Sequence, residues 1–348
     1  MISHYLTIAL RAFARSKSYT ALNIAGLTLG ITCALTILLY VYDELTYDNN
    51  HHNAESIYRL NSGWRSTTDG TSNMYAATGY VVGDVLLKEF PQVEKITRLR
   101  RFGDMRIVKP GTDEFFLEFL YFAEPNIFDV FTLPLIAGAS HDALTTPNSL
   151  VVTKKAALKY FNRTDVLGEH LRWLAHDTVD FQITGVMEDY PDNTHLKADL
   201  ITSLTPPMDM RDEWFEYRYY TYFTLHANAN IGEVESKIND FTKGYADDIE
   251  KEIGFTQEHA MIPFSKIHLH SNLPGELETN SNASYVYIFL VVGIFIMVMA
   301  CINFMNLATA RSMTRAREIG IRKVVGAVKF QLIKQFLGEA FMMTGVAA

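Results

Sequence analysis

The stretch YVYIFLVVGIFIMVMACI (285–302) runs through NFMNLATA (303–310) into RSMTRAREIGIRKVVGAVKFQLIKQF (311–336), and this unbroken passage from apolar to basic decides the fold. No charged residue occurs between Glu278 and Arg311. A helix of about 20 apolar residues spans the roughly 30 Å hydrocarbon layer of a bilayer, so residues 285–307 read as a membrane helix. The segment after it carries Arg311, Arg315, Arg317, Arg322, Lys323, Lys329 and Lys334 against Glu318 alone. Such a cluster beside a span marks the cytoplasmic side. Within it, Ile321, Val324, Val325, Val328 and Leu332 fall three and four residues apart and share one helical face. That pattern alone describes a helix lying on anionic lipid.

A second charge-free run, Ser18 to Tyr42, predicts another membrane helix over 21–42. It is longer than the 7–15 residues usual for a signal-peptide core, and no small-x-small cleavage site follows it, so the sequence predicts a retained anchor. Residues 1–42 carry a net charge of +3 and residues 308–348 carry +5; with −8 for the whole chain, residues 43–307 hold −16. Basic ends around an acidic middle predict an inside–outside–inside topology. They also argue against a nucleic-acid partner. Cys33 and Cys301 both fall in the predicted spans, so the exported part has no cysteine and folds without disulfides.

Residues 3–20 place Leu6, Leu10 and Phe13 on one stripe and Arg11 and Arg15 on another, which predicts an amphipathic cytoplasmic helix over residues 1–20. Residues 43–284 alternate strand-like and helical runs. SIYRLNS (56–62), SLVVT (149–153), FQITGVM (181–187) and YTYFTLHA (220–227) read as strands, and KKAALKYF (154–161) and IGEVESKINDFTKGY (231–245) as helices.

The string NFMNLATARSMTRAREIGIRKVVGA (303–327) closely resembles the MacB/FtsX-type permeases of ATP-binding-cassette systems. The succession PNIFDVFTLPLIAG (125–138), NSLVVTKKAALKYF (148–161), VLGEHL (166–171) and FQITGVMEDYPDNTH (181–195) is similar to that family's periplasmic core. The resemblance implies an α+β fold: membrane helices flanking a large extracytoplasmic α/β domain, with a β-rich subdomain inserted at about 105–195. It implies that residues 308–334 form a cytoplasmic coupling segment. The residues contacting a separate ATPase subunit would be Arg317, Glu318, Ile319, Gly320, Ile321, Arg322, Lys323, Val324, Val325, Gly326 and Ala327. It further implies a second permease copy or homologue as partner, an inner-membrane location, and a lipoprotein, peptide or drug as payload. An apolar stretch over 335–348 contains Glu339 and is too short to cross, so by this resemblance the chain is the amino-terminal part of a longer permease.

Gly26 and Gly30, extended by Ala34, form a small-residue face that lets helices approach closely in lipid. Asn303 and Asn306 sit near the cytoplasmic end of the second span, where amides are costly unless bonded between helices. His268 and His270 would share a face if they lay in a strand, but no third ligand at diagnostic spacing accompanies them and no metal is expected. The phosphate-loop pattern GxxxxGK(S/T), HExxH, GxSxG and GxGxxG are all missing from the sequence. No cofactor or catalytic role is therefore predicted. A two-span sensor or scaffold without transport activity is the alternative.

Overall fold

The computed structural model describes residues 17–175, 178–204, 214–240, 242, 247–324 and 328–348. They form two compact units, one of residues 46–282 and one containing the described parts of 1–45 and 283–348.

The first unit is built on an eleven-stranded sheet, with β1 (Ile57–Ser66), β2 (Ser72–Tyr75), β3 (Val93–Val108), β4 (Phe115–Ala123), β5 (Leu135–Ala137), β6 (Ser149–Thr153), β7 (His170–Trp173), β8 (Val179–Met187), β9 (Leu200–Ser203), β10 (Tyr220–Leu225) and β11 (Phe255–Pro263). The main path runs β11-β1-β10-β3-β4-β9-β6-β8-β5, with β2 added to β1 and β7 to β3 and β8. The long strand β3 joins the two halves. Val93–Leu99 pairs with β10, whereas Ile107 and Val108 pair with β7. Its register on β4 shifts between Phe102 and Met105, where Asp104 adopts a left-handed φ of 55°. Such a bulge bends and twists the strand, so β3 changes direction between its pairing with β10 and its pairing with β7. Strand β9 pairs in parallel with β4 and antiparallel with β6.

Strand alternation explains the layers. On β1, Tyr58 and Leu60 enter a core with Val82, Val85 and Leu86 of helix α2 (Tyr80–Glu89), while Ile57 enters a second core with Tyr222 and Phe264 on the other face. Strand β6 does not alternate, because all five of its residues are buried between neighbours and under helices. The helix expected at 154–161 is present, after the short α3 (Ile127–Val130), as α4 (Lys154–Phe161). The Thr153 side chain caps it by accepting from the Ala156 amide at 3.1 Å, and Asn162 ends it in a left-handed conformation. The helix predicted from residue 231 is α5 (Ile231–Ile238), followed by α6 (Asp247–Ile253).

His268 and His270 lie in the helical turn α7 (Ile267–His270), not in a strand. A helix turns residues i and i+2 to opposite sides; His268 is buried and stacks on Tyr47 at 3.5 Å, whereas His270 is exposed. They share no face for a metal.

The second unit contains α1 (Lys17–Leu45), α8 (Ala283–Val324) and α9 (Lys329–Ala347). Residues 17–20, predicted as part of a separate entry helix, belong to α1, and residues 1–16 lie outside the described residues. The apolar parts Lys17–Leu45 and Ala283–Ala310 are each long and apolar enough to cross a membrane.

Candidate coupling segment and helix pair

Helices α1 and α8 pack antiparallel along a face of small residues. A β-carbon at Gly26 would lie 2.9 Å from Asn303 Nδ2, one at Gly30 2.5 Å from Ala300 Cβ, and one at Gly293 3.1 Å from Ile37. Farther along, Tyr40 meets Phe289 edge-to-face at 5.4 Å. Positions rise on one helix as they fall on the other, so the contact is continuous over four turns. Ala34 is fully buried, whereas Asn306 is exposed. Outward faces are instead lined by exposed Leu22, Leu29, Leu39, Ile288, Phe295 and Met299. A continuous apolar exterior of this kind is a surface for lipid rather than water.

The sequence reading missed Asn23, one turn before Gly26 on the same face. It is 1 % exposed, and neither amide atom has a hydrogen-bond partner among the described residues. Extending the small-residue face by three positions would have located it.

The basic segment is not a separate helix. α8 continues past Ala310 to Val324, so Arg317, Glu318, Ile319, Gly320, Ile321, Arg322, Lys323 and Val324 extend the spanning helix itself. Val325, Gly326 and Ala327 lie outside the described residues. Val328 is extended, with φ −79° and ψ 147°, and caps α9, which packs on α1. The aliphatic stripe expected over 321–332 is therefore divided between two helices. Ile321 and Val324 end one, Val328 precedes the next, and all three are exposed.

The sheet domain holds a buried polar chain that the sequence did not reveal. Asp48, with φ 62°, accepts from the Thr194 hydroxyl and the His195 amide, both at 2.8 Å. Its other carboxylate oxygen lies 2.8 Å from His195 Nδ1, and His195 Nε2 lies 2.9 Å from the Tyr222 hydroxyl. Tyr222 faces Arg59 across β10 and β1, and the Arg59 guanidinium pairs with Glu276. Burial pushes the Asp48 carboxyl up, but the charge and hydrogen bonds of His195 and Thr194 outweigh it and hold it below the ordinary aspartate value. Asp48 is thus fastened through His195 to β10, and Glu276 to its neighbour β1.

Burial also pushes His51 down to about 4 and His259 down to about 3. Their unfolded forms bind protons below pH 6.5 while the folded forms stay neutral, so stability is full above that pH and falls as pH drops toward the folded values. Each contributes about 1.4 kcal/mol per pH unit in that window. His51→Gln should flatten the fall in thermal midpoint between pH 6.5 and 4.5, with one fewer proton taken up on unfolding; an unchanged slope would show that His51 is not buried neutral.

Residues 20–241 match the MacB-like periplasmic core domain, and residues 290–348 match the FtsX-like permease C-terminal region. The chain belongs to the MacB/FtsX-type permeases. Over 129 residues it is 26% identical to the macrolide export ATP-binding/permease protein MacB of Rhodopseudomonas palustris (strain BisB18), covering 36% of this chain and 19% of that protein. The match therefore spans about a fifth of that relative's length. A solved domain of a Porphyromonas gingivalis protein described as a permease shares the fold, with a TM-score of 0.56 and 21% identity over 68% of this chain and 98% of that one. The periplasmic region of MacB from Actinobacillus actinomycetemcomitans is more distant, with a TM-score of 0.40 and 13% identity over 60% of this chain and 90% of that one. Members of the MacB/FtsX family are membrane-embedded with a periplasmic domain, and residues 46–241 of the sheet domain fall inside the periplasmic-core match. Helix α9 and all of α8 from residue 290 fall inside the FtsX-like match.

Proposed function

We propose that this chain is the permease subunit of an ATP-binding-cassette transporter in the bacterial inner membrane, with residues 43–284 in the periplasm and the ATPase on a separate polypeptide. The observation that supports this most directly is the junction of α8 and α9, where Ile321, Val324 and Val328 are 59%, 89% and 57% exposed within the basic segment. Exposed aliphatic side chains amid cations suit a docking surface. Residues 1–348 carry no phosphate loop, which fits an ATPase on a separate polypeptide.

Helix α8 supplies a mechanical link. Its 42 residues make a rod about 63 Å long, running from the end of the sheet domain to the basic junction without a break. Closure of ATPase subunits on ATP would displace the junction, and a continuous helix carries that displacement along its length. The Gly26–Asn303 and Gly30–Ala300 contacts oblige α1 to move with it. A second permease copy completes the transporter, lipid surrounds the spans, and the payload is a lipoprotein, peptide or drug exported or extracted outside the cytoplasm.

Ile321→Asp and Val324→Asp, made singly in the membrane-embedded protein, test the docking role. Each puts an uncompensated charge into the contact and should reduce co-isolation of the ATPase about tenfold or more. Membrane insertion should persist, because both spans are untouched, and Arg322→Lys should change little because it keeps the charge. If the Asp variants retain the ATPase like the wild type, the segment is a lipid-surface helix and the coupling role fails.

A further inference from the structure

Asn23 is buried on the small-residue face of α1, and neither its Oδ1 nor its Nδ2 has a hydrogen-bond partner among the described residues. An orphaned amide is strongly unfavourable, most of all between membrane helices, where no bulk water makes good the loss. A second amide is one turn away, for Asn303 Nδ2 of α8 lies against Gly26. Beyond it Ala300 is seated on Gly30, and Gly293 on Ile37. The α1 face itself repeats at the interval of a turn, since Asn23, Gly26, Gly30 and Ala34 follow one another at three or four residues.

We propose that α8 has two seatings on α1, one helical turn apart, and that the second pairs Asn303 with Asn23. A step of about 5.4 Å toward the basic junction carries Asn303 from Gly26 to Asn23. The same step carries Ala300 from Gly30 to Gly26, which Asn303 has vacated, and Gly293 from Ile37 to Ala34. Each close approach in the first seating thus finds a small residue in the second, so the step meets no new side chain at the narrow points. The first seating has the fit of Ala300 in Gly30, and the second has the amide pair. Two arrangements that each hold a contact the other lacks are what a two-state element requires, and a one-turn slip of one helix past another is a recognised form of it. Within either seating the packing still moves the helices as one. In taking its drive from an ATPase at the junction, the step rests on the coupling role proposed above.

The test is disulfide trapping in native membranes with Cys33 and Cys301 replaced by alanine. Phe289→Cys is combined with Tyr40→Cys, its neighbour in the first seating, or with Ile37→Cys, which comes level with it in the second. The yield of the 37–289 link over the 40–289 link reports the second seating. Asn23→Leu keeps the size and removes the amide, and should lower that ratio about threefold to tenfold. Asn303→Leu should do the same, whereas Asn306→Leu, at an exposed position, should not. ATP with vanadate should raise the ratio by a similar factor, and co-isolation of the ATPase is measured in parallel. If Asn23→Leu leaves the ratio unchanged, there is no second seating and the proposal is overturned; an ATPase that still co-isolates then leaves the coupling role standing. If Asn23→Leu lowers the ratio but no ATPase co-isolates, the two seatings stand and the coupling role fails.

Discussion

Arg59→Ala will lower the stability of the sheet domain by about 3–5 kcal/mol, seen as a thermal midpoint roughly 10 °C below that of the wild type. Arg59 is fully buried, and its Nε donates to Asn61 Oδ1 at 2.9 Å. Its two terminal nitrogens reach the two oxygens of Glu276 at 2.5 and 2.9 Å, and one of them also reaches Ser271 at 3.0 Å. Truncation leaves the Glu276 carboxylate, only 10% exposed, without its counter-charge. Burial pushes that carboxyl up, but the Arg59 bonds and charge dominate and hold it below its ordinary value. Its contribution is therefore present above the ordinary glutamate range and lost as pH falls through the lowered folded value. The double variant Arg59→Met/Glu276→Met separates an orphaned charge from a mere cavity, since an apolar pair of similar volume replaces a buried ion pair with little loss. It should recover more than half of the lost stability. A shift below about 2 °C in Arg59→Ala, or a double variant no better than the single, would show that the pair does not hold the domain.

Local signals were legible where neighbours in sequence are neighbours in space. SLVVT and KKAALKYF sit where the hydrophobic run and the helix period put them. The two long apolar helices follow from uninterrupted composition. Whether His268 and His270 share a face was not readable, because a four-residue run such as Ile267–His270 is too short for period two and period 3.6 to be told apart. The division of the aliphatic stripe was hidden for a related reason. Val328 takes an extended conformation between two helices, and spacing alone reads through it. The buried chain from Asp48 to Glu276 was unreadable because its links join residues 27 to 217 positions apart and carry no spacing signature. Strand β4 was overlooked because Phe, Leu and Tyr fill both of its faces and mask the alternation that Glu118 alone betrays.

Gly30→Leu will separate the two spanning helices. The added β-carbon would lie 2.5 Å from Ala300 Cβ and 3.7 Å from its α-carbon, so the obstacle is the neighbouring helix and not a side chain that can swing aside. In lipid, helix pairs are held by packing without a hydrophobic drive between them, so nothing else compensates for the lost approach. Overpacking of this kind costs about 1–3 kcal/mol, which lowers the population of the closed pair by about fivefold to a hundredfold. Tyr40 and Phe289, in edge-to-face contact at 5.4 Å, report the pair. With Cys33 and Cys301 replaced, Tyr40→Cys and Phe289→Cys should cross-link readily when residue 30 is glycine and poorly when it is leucine. Gly338→Leu, with nothing within 4 Å of the added carbon, should leave the cross-link unchanged. Because α8 also carries Ile321 and Val324, the same Gly30→Leu protein should still bind the ATPase at the junction while failing to convey its cycle to α1. Intact ATPase association with lost transport would separate transmission from docking. Undiminished cross-linking in Gly30→Leu would mean that the close approach at Gly30 does not hold the helices together.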